Sequence, residues 1–181
     1  MLQLNLGCGR DIRLGYVNVD KIFLPGVDVI YDLEKGMPFK TSIFDRIFCR
    51  YVLEHVEDII SCMAEIHRIL KPDGIVHIEV PHCSSVYQYT DPTHKTFFTS
   101  HTMDFFEQNS QEGYFLNIKS RFKIISKKFK FTEDPRLGIL NFIINSIVNR
   151  FPDIYERFFL WVLPINKIIF EMKPIKDEKK D

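Results

Sequence analysis

Gly7 and Gly9 follow Leu2, Leu4 and Leu6, three leucines that alternate with Gln3 and Asn5 at the period of a strand. Two glycines at a strand end free the backbone of Cβ, so the chain turns tightly and a ligand can approach it. Asp20 closes a second strand-like run, Tyr16-Val17-Asn18-Val19-Asp20. A glycine turn after one strand, with an acid at the tip of the next, is how an open α/β sheet holds a nucleoside. The acid accepts hydrogen bonds from ribose hydroxyls. A second group with chemical potential is Asp91-Pro92-Thr93-His94, in a loop that also holds His82. A carboxylate beside an imidazole suits proton removal, because imidazole titrates near neutrality. Asp91 and His94 are therefore the candidate acid/base pair. No metal-ligand set is assigned.

The elements that position these groups follow from pattern. Val27–Tyr31, Phe44–Cys49 and Ile75–Val80 read as a third, fourth and fifth strand, with Asp32 and Leu33 at the end of the third. Arg50, Tyr51, Glu54 and His55 occupy the turn after the fourth. Glu57 to Leu70 reads as a helix, with Ile59, Ile60, Met63, Ile66, Ile69 and Leu70 at helical spacing and Pro72 and Gly74 as its stop. Residues 82–98 read as loop, and a helix capped by Thr99 is expected to reach about Gln108. Phe122–Phe131 and Ile165–Pro174 read as strands. Between them two apolar helical stretches, Leu137–Arg150 and Asp153–Val162, are separated by Pro152. Lys176–Asp181 reads as a charged, frayed tail.

The spaces between strands one and two, and two and three, are too short for ordinary crossover helices. One sheet face then lacks its usual cover. The apolar block is expected to fold over that face and keep an outward patch.

Leu4-Asn5-Leu6-Gly7-Cys8-Gly9 resembles the first motif of the class I S-adenosylmethionine-dependent methyltransferases. Val17-Asn18-Val19-Asp20 resembles the second, and Tyr31-Asp32-Leu33 with Met37-Pro38-Phe39 the third. Phe44-Asp45-Arg46-Ile47 with Leu53-Glu54-His55 resembles the fourth, and Leu70-Lys71-Pro72-Asp73-Gly74 the bend before strand five. The likeness covers roughly residues 2–95. It implies an α/β fold: a Rossmann-like, mostly parallel seven-stranded sheet with an antiparallel last strand and reduced helices after strands one and two. It implies S-adenosylmethionine as cofactor. Asn5, Gly7, Cys8 and Gly9 would meet it from the first strand, and Asp20 and Lys21 from the second. Asp32 and Leu33 would hold the adenine. Arg50, Tyr51, Glu54 and His55 would line its methionine end. The expected function is methyl transfer to a small-molecule or glycan-type acceptor. The alternative is a non-catalytic binding or partner subunit of the same fold. A nicotinamide dehydrogenase is disfavoured, because Ile12 stands where a third glycine would be needed and the acid comes too early.

A chain of 181 residues suffices for one domain, expected to span residues 1–181 with a helical apolar insertion at about 136–163. Basic and acidic residues balance at 24 each, so no net field favours nucleic acid. Cys8, Cys49, Cys62 and Cys83 form no C-x-x-C pair, which with no evident leader suggests a reducing cytoplasm. No run is apolar enough to cross a membrane. The block at about 139–163 suggests a homodimer interface or peripheral membrane contact.

Overall fold

A computed structural model describes residues 1–176. Its sheet contains β1 (Gln3–Leu6), β2 (Tyr16–Asp20), β3 (Val29–Ile30), β4 (Phe44–Arg50), β5 (Leu70–Pro81), β6 (Arg121–Lys130) and β7 (Lys167–Ile175). The strands lie in the order β3-β2-β1-β4-β5-β7-β6. All the pairs from β3 to β5 are parallel, whereas β7 runs antiparallel to both of its neighbours. Strand order reverses beside β1, which opens a crevice at the carboxyl ends of β1, β2 and β4.

Register sorts the two faces. Val17, Leu4, Ile47, Val76, Met172 and Ile124 form one cross-strand row. The next row toward the carboxyl ends of the parallel strands holds Asn18, Asn5, Phe48, His77, Glu171 and Ser126. Successive residues of a strand point to opposite faces, so one face is apolar and the other largely polar. On the apolar face lies α1 (Ile59–Ile69), which buries Cys62, Met63, Ile66 and Ile69. The Asp58 carboxylate accepts from Ser61 N–H and caps the helix, which leaves Glu57 outside it.

The polar face explains how the short crossovers are tolerated. The loop after β1 lies on it. Asn5 Nδ2 donates to Asp11 O at 2.6 Å and to Asn18 Oδ1 at 3.0 Å, and the Arg13 guanidinium sits 3.3 Å from the Phe48 ring centroid. The apolar block was expected to cover this face. It lies elsewhere, because a polar face needs no apolar cover. Its helix α4 spans Gly138–Arg150 and runs beside β6, with Ile144 and Val148 in the core. Asn149 accepts from Phe129 N–H at 2.7 Å and donates to Phe129 O at 3.0 Å. Asn145 accepts from Phe131 N–H at 2.8 Å. After Pro152 one helical turn passes into a π-helical turn, Tyr155–Phe159, rather than the helix to Val162 expected from sequence.

Other segments also depart from the sequence reading. The loop after β5 contains α2 (Val86–Thr90), capped by Ser85. Thr99 does not cap a helix; its N–H donates to Thr102 Oγ1, and Thr102–Phe106 is a 3-10 helix. Gln111–Phe115 forms α3, capped by Ser110. Lys176 is anchored, its Nζ donating to Ser42 Oγ and to the Arg68 and Leu70 carbonyls. The rest of the expected tail, 177–181, lies outside the described residues. No helix among the described residues is long and apolar enough to cross a membrane.

Candidate active site

A cleft of about 660 Å³ opens at the ends of β1, β2 and β4. Gly7 and Gly9 form its inner wall, both with positive φ. A Cβ on Gly7 would fall 2.3 Å from Val52 Cγ2, so glycine is demanded there by packing as well as by backbone. A Cβ on Gly9 would meet nothing within 4 Å. Asp20 Oδ2 accepts from Gly9 N–H at 2.7 Å and Oδ1 from Ile22 N–H at 2.9 Å. Each oxygen keeps acceptor capacity beyond these bonds, since an ionised carboxylate has about four lone-pair sites. Lys21, Asp32, Leu33, Tyr51 and His55 also line the cleft. Asp32 uses Oδ1 to cap the turn that starts at Leu33, accepting from Glu34 N–H at 3.2 Å.

Four expected cofactor residues sit elsewhere. Asn5 is buried on the polar face, holding the loop. Cys8 is buried, and burial, with Asp20 adding, pushes its thiol up to about 11. Arg50 pairs with Asp11 at 3.1 Å. Glu54 lines a neighbouring cleft of about 460 Å³, together with Tyr51, His55, Tyr87, Asp91 and His94. Sequence reasoning missed Val52, Thr93 and Lys95, all in the first cleft. Lys95 pairs with Glu57 and approaches Glu34 at 3.8 Å, across the cleft rim. Only its place in the loop after β5 hinted at this.

The two clefts share Tyr51 and His55, and Tyr51 lines a third of about 560 Å³ beside Glu133 and Asn166. Tyr51 has φ 56°, a strained conformation for a non-glycine residue, and is fixed by its N–H donating to Glu79 O at 2.8 Å. Burial raises its phenol, which therefore stays protonated at neutral pH.

Asp91 does not support His94 as expected. Its Oδ1 accepts from the Thr93 hydroxyl at 2.7 Å, and Thr93 Oγ1 lies 2.9 Å from His55 Nδ1. His94 Nδ1 instead donates to Gln88 O at 3.0 Å. The main-chain oxygen of Glu54 accepts from Lys95 N–H and Thr96 N–H, which ties this loop to the turn after β4. Glu54 is fully buried, and neither carboxylate oxygen has a hydrogen-bond partner among the described residues. Burial pushes its carboxyl up to about 7, with its own backbone N–H opposing and Asp91 adding. His55 is held low by burial and by His94.

Residues 7–78 match the family model described as Methyltransferase domain. The solved S-adenosylmethionine-dependent methyltransferase from Archaeoglobus fulgidus superposes with a TM-score of 0.57 at 17% identity, over 94% of this chain and 85% of that one. Residues 7–78 thus resemble a methyltransferase domain, and the chain has the fold of the solved class I S-adenosylmethionine-dependent methyltransferases. Phosphoethanolamine N-methyltransferase 2 of Haemonchus contortus, solved with S-adenosyl-L-methionine, has the same fold. Its TM-score is 0.56 at 14% identity, over 97% of this chain and 49% of that one. Among curated relatives, human mitochondrial arginine-hydroxylase NDUFAF5 is 34% identical over 93 residues. That alignment takes in 41% of this chain and 27% of the relative. The chain thus spans about a quarter of the relatives it matches. The family match ends at residue 78, before Tyr87, Asp91 and His94, so the methyltransferase likeness covers the first cleft far better than the second.

Proposed function

We propose that this chain binds S-adenosylmethionine in the first cleft and transfers its methyl group to an acceptor in the second. The observation that carries the reading is the meeting of the two clefts at Tyr51 and His55. The residues present fit the cofactor. Gly9 leaves open space where a Cβ would stand, Asp20 offers acceptors suited to ribose hydroxyls, and Asp32 and Leu33 bound the adenine side. When bound, S-adenosylmethionine supplies a sulfonium-borne methyl that passes to a nucleophile in line. The protein's share is position and exclusion of water. Lys95, through its ion pairs, narrows the rim. An oxygen acceptor must shed a proton, and Glu54, His55 and His94 are the groups placed to manage it.

The acceptor class we favour is a small molecule or glycan bearing a hydroxyl, because the second cleft is walled by Tyr51, Tyr87 and polar groups. The arginine hydroxylation in the relatives' name is not carried over, since the match takes in so little of them. A second reading, a binding or partner subunit without catalysis, is favoured by the exposed apolar side chains of α4. Free cysteines support a cytoplasmic setting.

Calorimetry with S-adenosylhomocysteine tests the first cleft. Asp20→Asn should weaken binding by about 1.5–3 kcal/mol, the worth of a charged hydrogen bond. Equal affinity for wild type and variant would remove Asp20 from the site. Transfer of labelled methyl to hydroxyl-bearing extract fractions would then separate enzyme from subunit.

A further inference from the structure

We propose that Glu54, His55 and His94 form a binding site for one divalent transition-metal ion, which would bind the hydroxyl of the acceptor. One ligand-capable atom of each residue lies within 4.8 Å of those of the other two. That is the spacing of groups arranged around one ion, and two imidazoles with one carboxylate are a metal set with positions left open for an oxygen ligand.

The hydrogen bonds prepare each residue for this role. His94 Nδ1–H is spent on the Gln88 carbonyl, so the lone pair is on Nε2. The Thr93 hydroxyl gives its proton to Asp91 and must accept from His55 Nδ1–H, which leaves the His55 lone pair on Nε2 too. Carbonyl and carboxylate-backed partners of this kind fix the tautomer and orientation of metal-binding histidines. Glu54 completes the set. It is fully buried, and both of its oxygens lack a partner among the described residues. Buried carboxylates are ordinarily paired or coordinate metals. Protonation would relieve the charge but leave a donor and an acceptor still unmatched. A cation answers both oxygens at once.

The two imidazoles favour a transition metal such as Fe²⁺ or Zn²⁺ over Mg²⁺ and Ca²⁺, and Mn²⁺, which the carboxylate also suits, serves as the spectroscopic probe of the set. Its place in the second cleft assigns its use. A hydroxyl bound to a cation loses its proton at a lower pH than a free one. Tyr87, Thr90 and Asp91 bound the space where the rest of the acceptor would sit. The metal site stands without the methyltransferase reading; the substrate class, an oxygen acceptor, rests on it.

The test uses the full chain, stripped with a chelator and titrated with Mn²⁺, followed by the paramagnetic resonance signal of the free ion. One Mn²⁺ per chain is expected. His94→Ala and Glu54→Gln, each removing a direct ligand, should weaken it by more than the roughly 10–100-fold that a change in a ligand's supporting partner costs, and Mg²⁺ should compete poorly. Absence of a stoichiometric Mn²⁺ site in the wild type overturns the proposal, as does unchanged affinity in both variants. S-adenosylhomocysteine calorimetry on the same samples checks that the variants fold. Cofactor binding without Mn²⁺ binding defeats the metal site alone. Mn²⁺ binding without cofactor binding defeats the methyltransferase reading and leaves the metal.

Discussion

Gly7 and Gly9 share a left-handed backbone, at φ +63° and +50°, yet differ in surroundings. A side chain in that conformation costs about 1–2 kcal/mol at either position. At Gly7 the added Cβ also meets Val52, whereas at Gly9 it meets open space bordering the cleft. Gly7→Ala should therefore lose more stability in urea than Gly9→Ala, while Gly9→Ala should lose cofactor affinity out of proportion to its stability. Equal urea midpoints would show that Val52 yields freely. The glycines and Asp20 were legible from sequence because their demands are local: a turn, and an acid at a strand tip. Arg50 misled because its partner, Asp11, sits in a loop whose path depends on the polar face. Glu54, His55 and His94 could not be read as a cluster. They meet because the Lys95 and Thr96 amides bind the Glu54 carbonyl and Thr93 bridges Asp91 to His55, contacts with no sequence spacing.

At the level of elements, β5 and β7 are joined by charge as well as by backbone. Glu79 receives Lys167 Nζ at 2.7 Å and lies 3.0 Å from His77 Nε2. Burial by itself would raise its carboxyl, but the hydrogen bonds from His77 and Lys167 outweigh it and hold the group at about 2, below its ordinary 4.5. A carboxylate depressed in the folded state adds stability above its unfolded pKa and loses it as pH falls through the folded one. The contribution should be complete above about pH 4.5 and gone near pH 2. Thermal unfolding across that window should show a shallower acid limb for Glu79→Gln; identical slopes would place the loss elsewhere. The strands themselves were legible through alternation, and α1 through its apolar spacing. The destination of α4 was not. Asn5 and Asn18 alternate with apolar neighbours and pair across β1 and β2, which marks their face as polar, but that spacing says nothing of the edge where α4 packs.

For the whole molecule, the block at 139–162 turns large apolar side chains outward. Ile139, Phe142, Trp161 and Val162 are each more than 70% exposed. Apolar side chains exposed to this degree suit an interaction site, and a symmetric homodimer is the commonest way to cover one. Sedimentation at micromolar concentration should show a dimer that Phe142→Glu weakens, and vesicles should compete if a lipid surface is the cover. A monomer indifferent to vesicles would rule out both. The asparagines of α4 carry a different consequence, for misfolding rather than function. A sheet can lengthen sideways wherever its outermost strand leaves amides and carbonyls free for another chain. Here one border is the two-residue β3, and at the other Asn149 occupies both backbone groups of Phe129. At that end of β6 lateral growth is opposed by a side chain that mimics a neighbouring strand. Asn149→Ala should release that template, and thioflavin-positive fibres should form from the variant under conditions where the wild type stays clear.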